Sequence, residues 1–169
     1  RRAIISMKRK RFEPLRRAMA DLLGQQLLLE PQHAVASPLL IPVPYHWSHA
    51  FSSSTNTAEL LAQGIATTSG WPIAQRIVRR IRKTSKQGML SWAERKTNVR
   101  HAFSVKSPDG IQGRQVWLVD DVMTSGATAA ELARLLLKAG AAQVNVAVVA
   151  RGTGVREPPS MNTSSPDSH

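Results

Sequence analysis

A chain of 169 residues suits one domain with room for a sizeable core. It holds no cysteine, which excludes disulfides and thiolate metal sites and fits a cytoplasmic protein, and no run of about 18 apolar residues that would span a membrane. The net charge of +12 is concentrated: residues 1–20 carry eight Lys/Arg, residues 76–106 carry ten, and residues 21–75 carry none. Two such clusters attract polyanions, either nucleic acid or phosphorylated small molecules, unless they serve only as a solvated face.

Phe12 to Leu29 reads as a helix, with Leu15, Met19, Leu22 and Leu23 on one face, Pro14 in its first turn and Gly24 as its weak point. Leu39 to Val43 is a short apolar run bounded by prolines, expected as a buried strand ending near Pro44. After a polar loop, Asn56 and Glu59 stand at capping-box spacing, and Ala58, Leu61, Ala62 and Ile65 carry a helix to about Thr67. Residues 73–82 fit a helix through Ile73, Ile77 and Ile81, or a strand through Ile77, Val78 and Ile81. Lys83 to Leu90 reads as a loop, and Ser91 with Glu94 starts a helix expected from Trp92 to about His101. SPDG, residues 107–110, is a turn sequence. Val116 to Val119 reads as a buried strand. Ala127 to Lys138 reads as a helix with Leu132, Leu135 and Leu136 on one face and Gly140 at its C-terminal cap, and Val144 to Val149 as the next strand. From Gly152 onward the composition lacks periodicity, so a disordered tail is expected over residues 152–169. Strands alternating with helices imply a single α/β domain built on a parallel sheet flanked by helices.

The chemistry concentrates after residue 119. Asp120 and Asp121 stand at the expected end of a strand, and ligands of an open parallel sheet bind at the carboxyl ends of its strands. Carboxylates there accept hydrogen bonds from ligand hydroxyls or approach a hydrated Mg2+. Met123, Thr124, Ser125, Gly126, Ala127 and Thr128 then lead into a helix N-terminus, where unpaired N–H groups and the helix dipole favour an anion. Gly126 permits close backbone approach, and Thr124, Ser125 and Thr128 add hydroxyl donors. A phosphate cradle beside two acids implies a ligand with a phosphate near a diol, a ribose 5-phosphate. The Gly-Lys-Ser/Thr ending of a Walker A loop is absent. The competing role for the two acids is an N-cap pair ahead of an ordinary helix.

VWLVDDVMTSGAT, residues 116–128, resembles the signature by which type I phosphoribosyltransferases bind phosphoribosyl pyrophosphate (PRPP). With LIPVPYHW, RRIRKTSKQGMLSWAERKTNVRHAF and the helical segment IISMKRKRFEPLRRAMADLL, the chain resembles the competence protein F (ComF) branch of that family over roughly residues 4–151. The resemblance implies a type I phosphoribosyltransferase-like domain over residues 1–151, with a hood or mobile loop at about 79–103. It implies that Asp120 and Asp121, the catalytic pair, orient the ribose through its 2- and 3-hydroxyls. Met123 to Thr128 would wrap the 5-phosphate, and the turn after Val43, with Pro44 and Tyr45, would be the pyrophosphate loop. Arg79, Thr84, Gln87, Leu90, Ser91, Arg95, Asn98 and Phe103 match the branch's recurring pattern. Arg79 and Arg95 are assigned to the pyrophosphate or another anion, with a surface salt bridge as the alternative for either. Mg2+ is expected to arrive with PRPP rather than on a site of its own. No zinc is expected, since the cysteine zinc ribbon of many relatives has no counterpart here, which suits a truncated or divergent member.

Family members usually carry several arginines and an Arg-Gly-Phe-Asn-Gln run after the first strand. Here the register gives Ser53-Ser54-Thr55-Asn56-Thr57, with Ser48, His49, Ala50 and Ser52 in place of nearby arginines. Less cationic charge near the pyrophosphate loop weakens the case for turnover. If there is turnover, a nucleophile attacks C1 of PRPP and pyrophosphate leaves; the acceptor stays open, because no base-reading motif is present. The alternative is a non-catalytic PRPP or nucleotide sensor, or a protein whose basic clusters bind single-stranded DNA or a DNA-uptake partner, with Trp92 available for base stacking. The ComF resemblance implies a link to natural transformation.

Overall fold

The computed structural model describes residues 13–29, 38–44, 56–82, 97–106 and 108–152. They form α1 (Glu13–Leu28), β1 (Leu39–Pro42), α2 (Thr57–Ser69), β2 (Val78–Arg80), β3 (Phe103–Val105), a 3-10 turn (Pro108–Gly110), β4 (Gln115–Met123), α3 (Ala127–Lys138) and β5 (Gln143–Arg151). Asn56 caps α2: its side chain accepts the Ala58 N–H at 3.2 Å. Gly70, left-handed at φ 73°, closes the same helix by donating to the Ala66 carbonyl. The lone asparagine left from the family's loop motif is therefore engaged in starting a helix.

β1, β4 and β5 make a parallel sheet with β4 in the centre, Leu39 facing Val116 and Gln115 facing Gln143. Strand alternation sends Leu39, Ile41, Val116 and Leu118 to one face, where they meet Leu132 and Leu136 of α3 and Phe103. Leu40, Trp117, Val119 and Ala147 go to the other, against Leu61 and Ile65 of α2 and Ala20 and Leu27 of α1. Burial on both faces explains why β1 and the first half of β4 are continuous apolar runs. The result is a parallel sheet flanked by helices, as the sequence implied.

Three details differ from the sequence reading. On α1, Leu22 is 65% exposed, and the buried row is Arg16, Ala20, Gly24 and Leu27. α1 crosses α2 so closely that small residues form the contact. A Cβ at Gly64 would run into that of Ala20, and one at Gly24 would meet the Thr68 Cβ at 3.0 Å. Gly24 therefore belongs to the packing and does not break the helix. Arg16, counted with the first basic cluster, is 3% exposed on this same row, its stem packed in the interface rather than presented to solvent.

Residues 78–80 resolve to a strand: β2 pairs antiparallel with β3, Arg80 facing Phe103. Finally, β4 does not stop at Val119. β5 ladders with it as far as Met123 and Arg151, with Asp120 opposite Val148, so both aspartates lie within the strand. Non-local pairing overrides the low strand preference of aspartate. Residues 97–99 are helical, as expected for the end of the 92–101 helix. Residues 83–96 and the 153–169 tail lie outside the described residues.

Candidate functional site

Where β4 runs out of fully buried residues, a small cleft of about 60 Å³ opens to solvent. Its walls are the end of β4, the 124–126 loop, the first turn of α3, and Val146 and Val148 of β5. Met123, Thr124, Ser125, Gly126, Ala127 and Thr128 all line it, so the structure gathers the whole expected phosphate segment around one space. Gly126 occupies the N-cap position of α3 at φ 72°, ψ 1°, and supplies no side-chain cap. The Ser125 hydroxyl reaches the Ala127 N–H only at 3.4 Å, and no acid stands in the first turn. A helix of 12 residues thus points its N-terminus, with no acid in its first turn, into the cleft.

Asp120 lies on the α3 side of β4 and lines the cleft. Asp121 projects from the opposite side and is not part of the lining. The Asp120 Oδ1 accepts the Asp121 N–H at 2.8 Å, and the Asp121 Oδ1 accepts the Val122 N–H at 2.9 Å.

The β2–β3 ribbon carries a half-buried cation outside the cleft lining. Val78 is buried, Arg79 is exposed and Arg80 is half-buried, so Arg80, not Arg79, turns inward. Its guanidinium sits 4.7 Å from the centre of the Phe103 ring. Burial pulls this guanidinium below its ordinary value, and the charge of Asp120 pushes it back up. The available signal was strand alternation, unusable while residues 73–82 also fitted a helix. Pro44 is half-buried just past β1, while Tyr45 and Arg95 lie outside the described residues.

The return from the 83–96 segment is fastened. Arg82 donates to the Asn98 and Arg100 carbonyls, each at 2.9 Å. On α3, Glu131 accepts the N–H of His101, a left-handed residue at φ 55°, at 2.9 Å. Glu131 also takes two hydrogen bonds from Arg134, which hold its carboxyl below the ordinary value against the opposing effect of burial; the His101 N–H adds to the lowering. Among the described residues no group of three or more His, Asp or Glu could hold a metal ion.

The phosphoribosyl transferase domain matches residues 52–168. The chain belongs to that family. It is a ComF-like member: it is 39% identical to DNA utilization protein YhgH of Escherichia coli (strain K12) over 144 residues, which cover 78% of this chain and 60% of YhgH. It is 36% identical to competence protein F of Haemophilus influenzae over 113 residues, covering 66% of this chain and 49% of that protein. The phosphoribosyltransferase-like chain thus spans less than two thirds of these relatives. Among solved structures, it is similar to glutamine PRPP amidotransferase from B. subtilis, with a TM-score of 0.50 and 25% identity over 79% of this chain and 26% of that one. No helix among the described residues is long and apolar enough to cross a membrane.

Proposed function

We propose that this domain binds PRPP or a ribose 5-phosphate nucleotide and serves DNA uptake or utilisation. The observation that carries the reading is the cleft itself. The α3 N-terminus and Asp120 line one cleft, an arrangement that suits a phosphate and a diol on a single ligand. Thr124, Ser125 and Thr128 supply hydroxyls to the 5-phosphate, while Asp120 and Asp121 take the ribose 2- and 3-hydroxyls. Pro44, Tyr45, Arg79 and Arg95 remain the assignment for the pyrophosphate end. Mg2+ would accompany the pyrophosphate and neutralise it as it leaves. The link to DNA rests on the names of YhgH and competence protein F.

Calorimetric titration of PRPP with Mg2+, beside ribose 5-phosphate, tests the ligand class. Binding of both is expected, and a folded protein that binds neither sinks the reading. Turnover is a separate question, answered by pyrophosphate release in the presence of candidate acceptors.

The second reading is a non-catalytic sensor or a single-stranded-DNA-binding protein. It is favoured by the Ser53–Thr57 departure, in which Asn56 caps α2 and Thr57 is buried. Electrostatic DNA binding predicts an affinity that falls by orders of magnitude between about 50 and 200 mM salt. Anisotropy of a labelled single-stranded oligonucleotide measures this, and no binding at low salt removes the DNA contact.

A further inference from the structure

We infer that the end of β5 aims the phosphate loop: Gly152 is a positioning residue that acts through the Thr124 N–H. The inference rests on the ribose-phosphate reading of the cleft. It adds to it a residue outside the signature segment, one whose composition reads as the head of an aperiodic tail.

The chain changes sides just before the loop. The Val119 carbonyl accepts the Val43 N–H at 2.9 Å, on the β1 side of β4, while the Met123 carbonyl accepts the Gly152 N–H at 2.8 Å, on the β5 side. Carbonyls four residues apart on a regular strand point the same way. The backbone of β4 therefore switches sides between them, and the register with β5 skips Asp121 at this place. Both amides inside the switch are served locally, the Asp121 N–H by the Asp120 carboxylate and the Val122 N–H by the Asp121 carboxylate. β5 recovers the chain afterwards: Val122 faces Ala150, Met123 faces Arg151, and the Gly152 bond closes the pairing.

That last bond sets the direction of a donor. The Met123–Thr124 peptide is planar and trans, so its carbonyl and its N–H point in opposite directions. With the carbonyl held by Gly152, the Thr124 N–H turns away from β5. Among the described residues it has no acceptor. Thr124 lines the cleft and begins the three-residue loop into α3. Gly152 also abuts Thr124: a Cβ on Gly152 would lie 3.4 Å from the Thr124 methyl and 3.6 Å from its Cα. Without the Gly152 bond this peptide is free to rotate, and a donor that must be fixed on binding gives less affinity than one fixed beforehand. Gly152 is not itself in the lining, so it acts only through Thr124. Its effect falls on the phosphate end of the ligand, whereas Asp120 serves the sugar end.

The test uses the full chain, with inorganic phosphate and ribose 5-phosphate titrated separately by calorimetry, well below the Tm of each variant. Gly152→Pro removes the N–H, and Arg151 before it is already extended, as a residue preceding proline prefers. It should weaken both probes by the same factor, about three- to tenfold. A merely structural role would lower Tm and leave the affinity of the folded protein where it was. Gly152→Ala keeps the N–H, and its Cβ makes ordinary contacts, so it should rescue most of the loss. Asp120→Asn should weaken ribose 5-phosphate alone, and its loss should multiply with that of Gly152→Pro. If Gly152→Pro melts too low to titrate, an amide-to-ester replacement at the same position removes the donor without a ring, and the same losses are expected. Parent-like binding of both probes without the donor overturns the inference. So does a Gly152→Ala loss as large as that of Gly152→Pro, which would make bulk the cause, or a loss confined to ribose 5-phosphate. An unmodified chain that binds neither probe overturns the cleft reading, and the inference with it.

Discussion

Replacing Gly126 by alanine probes the cradle from the backbone upward. Gly126 holds φ 72° and ψ 1°, in the left-handed region. That region costs an L residue about 1–2 kcal/mol. The added Cβ would lie 3.6 Å from the Met123 sulfur, an ordinary contact, so packing adds no further penalty. Alanine also restricts the unfolded chain, which returns about 0.4–1 kcal/mol. The net loss is about 1 kcal/mol, or about 2–4 °C in Tm for a chain of this size, and the fold survives. The methyl group, however, enters the lining where a phosphate would approach the first-turn N–H groups. Losing one charge-assisted hydrogen bond costs about 1.5–3 kcal/mol, so ribose 5-phosphate affinity should fall at least about tenfold. Affinity is thus expected to drop further than stability, read by calorimetry and thermal melting on one sample. A folded Gly126→Ala protein that binds ribose 5-phosphate undiminished refutes the cradle. A rise in Tm refutes the left-handed conformation.

The two aspartates should differ. Asp120→Asn is expected to weaken ribose 5-phosphate by about tenfold or more, and Asp121→Asn by less, since only Asp120 lines the cleft; calorimetry reads both, and the reverse order contradicts the geometry. Glu131 titrates below its ordinary range because of its Arg134 hydrogen bonds, so its stabilisation is complete above the ordinary carboxylate value and is lost as pH falls through the folded one. Glu131→Gln should therefore flatten the acid limb of the urea midpoint between about pH 5 and 2, and parallel curves would show that the carboxylate contributes nothing. Gly64→Ala should destabilise by about 1–3 kcal/mol through overpacking against Ala20, although helix propensity alone favours alanine by about 1 kcal/mol. Ala20→Gly in the same chain should restore most of the loss, and chemical denaturation that finds Gly64→Ala as stable as the parent places the helices further apart.

What could be read from the sequence was what is encoded locally. Ala127 to Lys138 declares itself by period and composition, and the observed α3 has the same bounds. The Asp120 to Thr128 segment is contiguous, so its gathering around one cleft needed only a strand followed by a helix. The other features depend on partners distant in the chain. The reach of β4 through Asp120 and Asp121 is decided by β5, and no local preference of aspartate announces it. The buried face of α1 is set by Gly64, which lets small residues meet and leaves Leu22 outside. The inward turn of Arg80 depends on pairing with Phe103, 23 positions away, which no local pattern announces.

The extension of β4 also bears on how the site moves. With Met123 still laddered and Ala127 already helical, only Thr124, Ser125 and Gly126 separate two stiff bodies. The acid on one body and the amide donors on the other are set by the core packing beneath them, and three residues form the whole joint. A ligand seated across that joint would act as a tie-bar between strand and helix. Occupancy would then register as resistance to opening of the entire sheet edge, including β5, and hydrogen exchange of the Val146 and Val148 amides would slow with ligand although neither residue offers it a polar group.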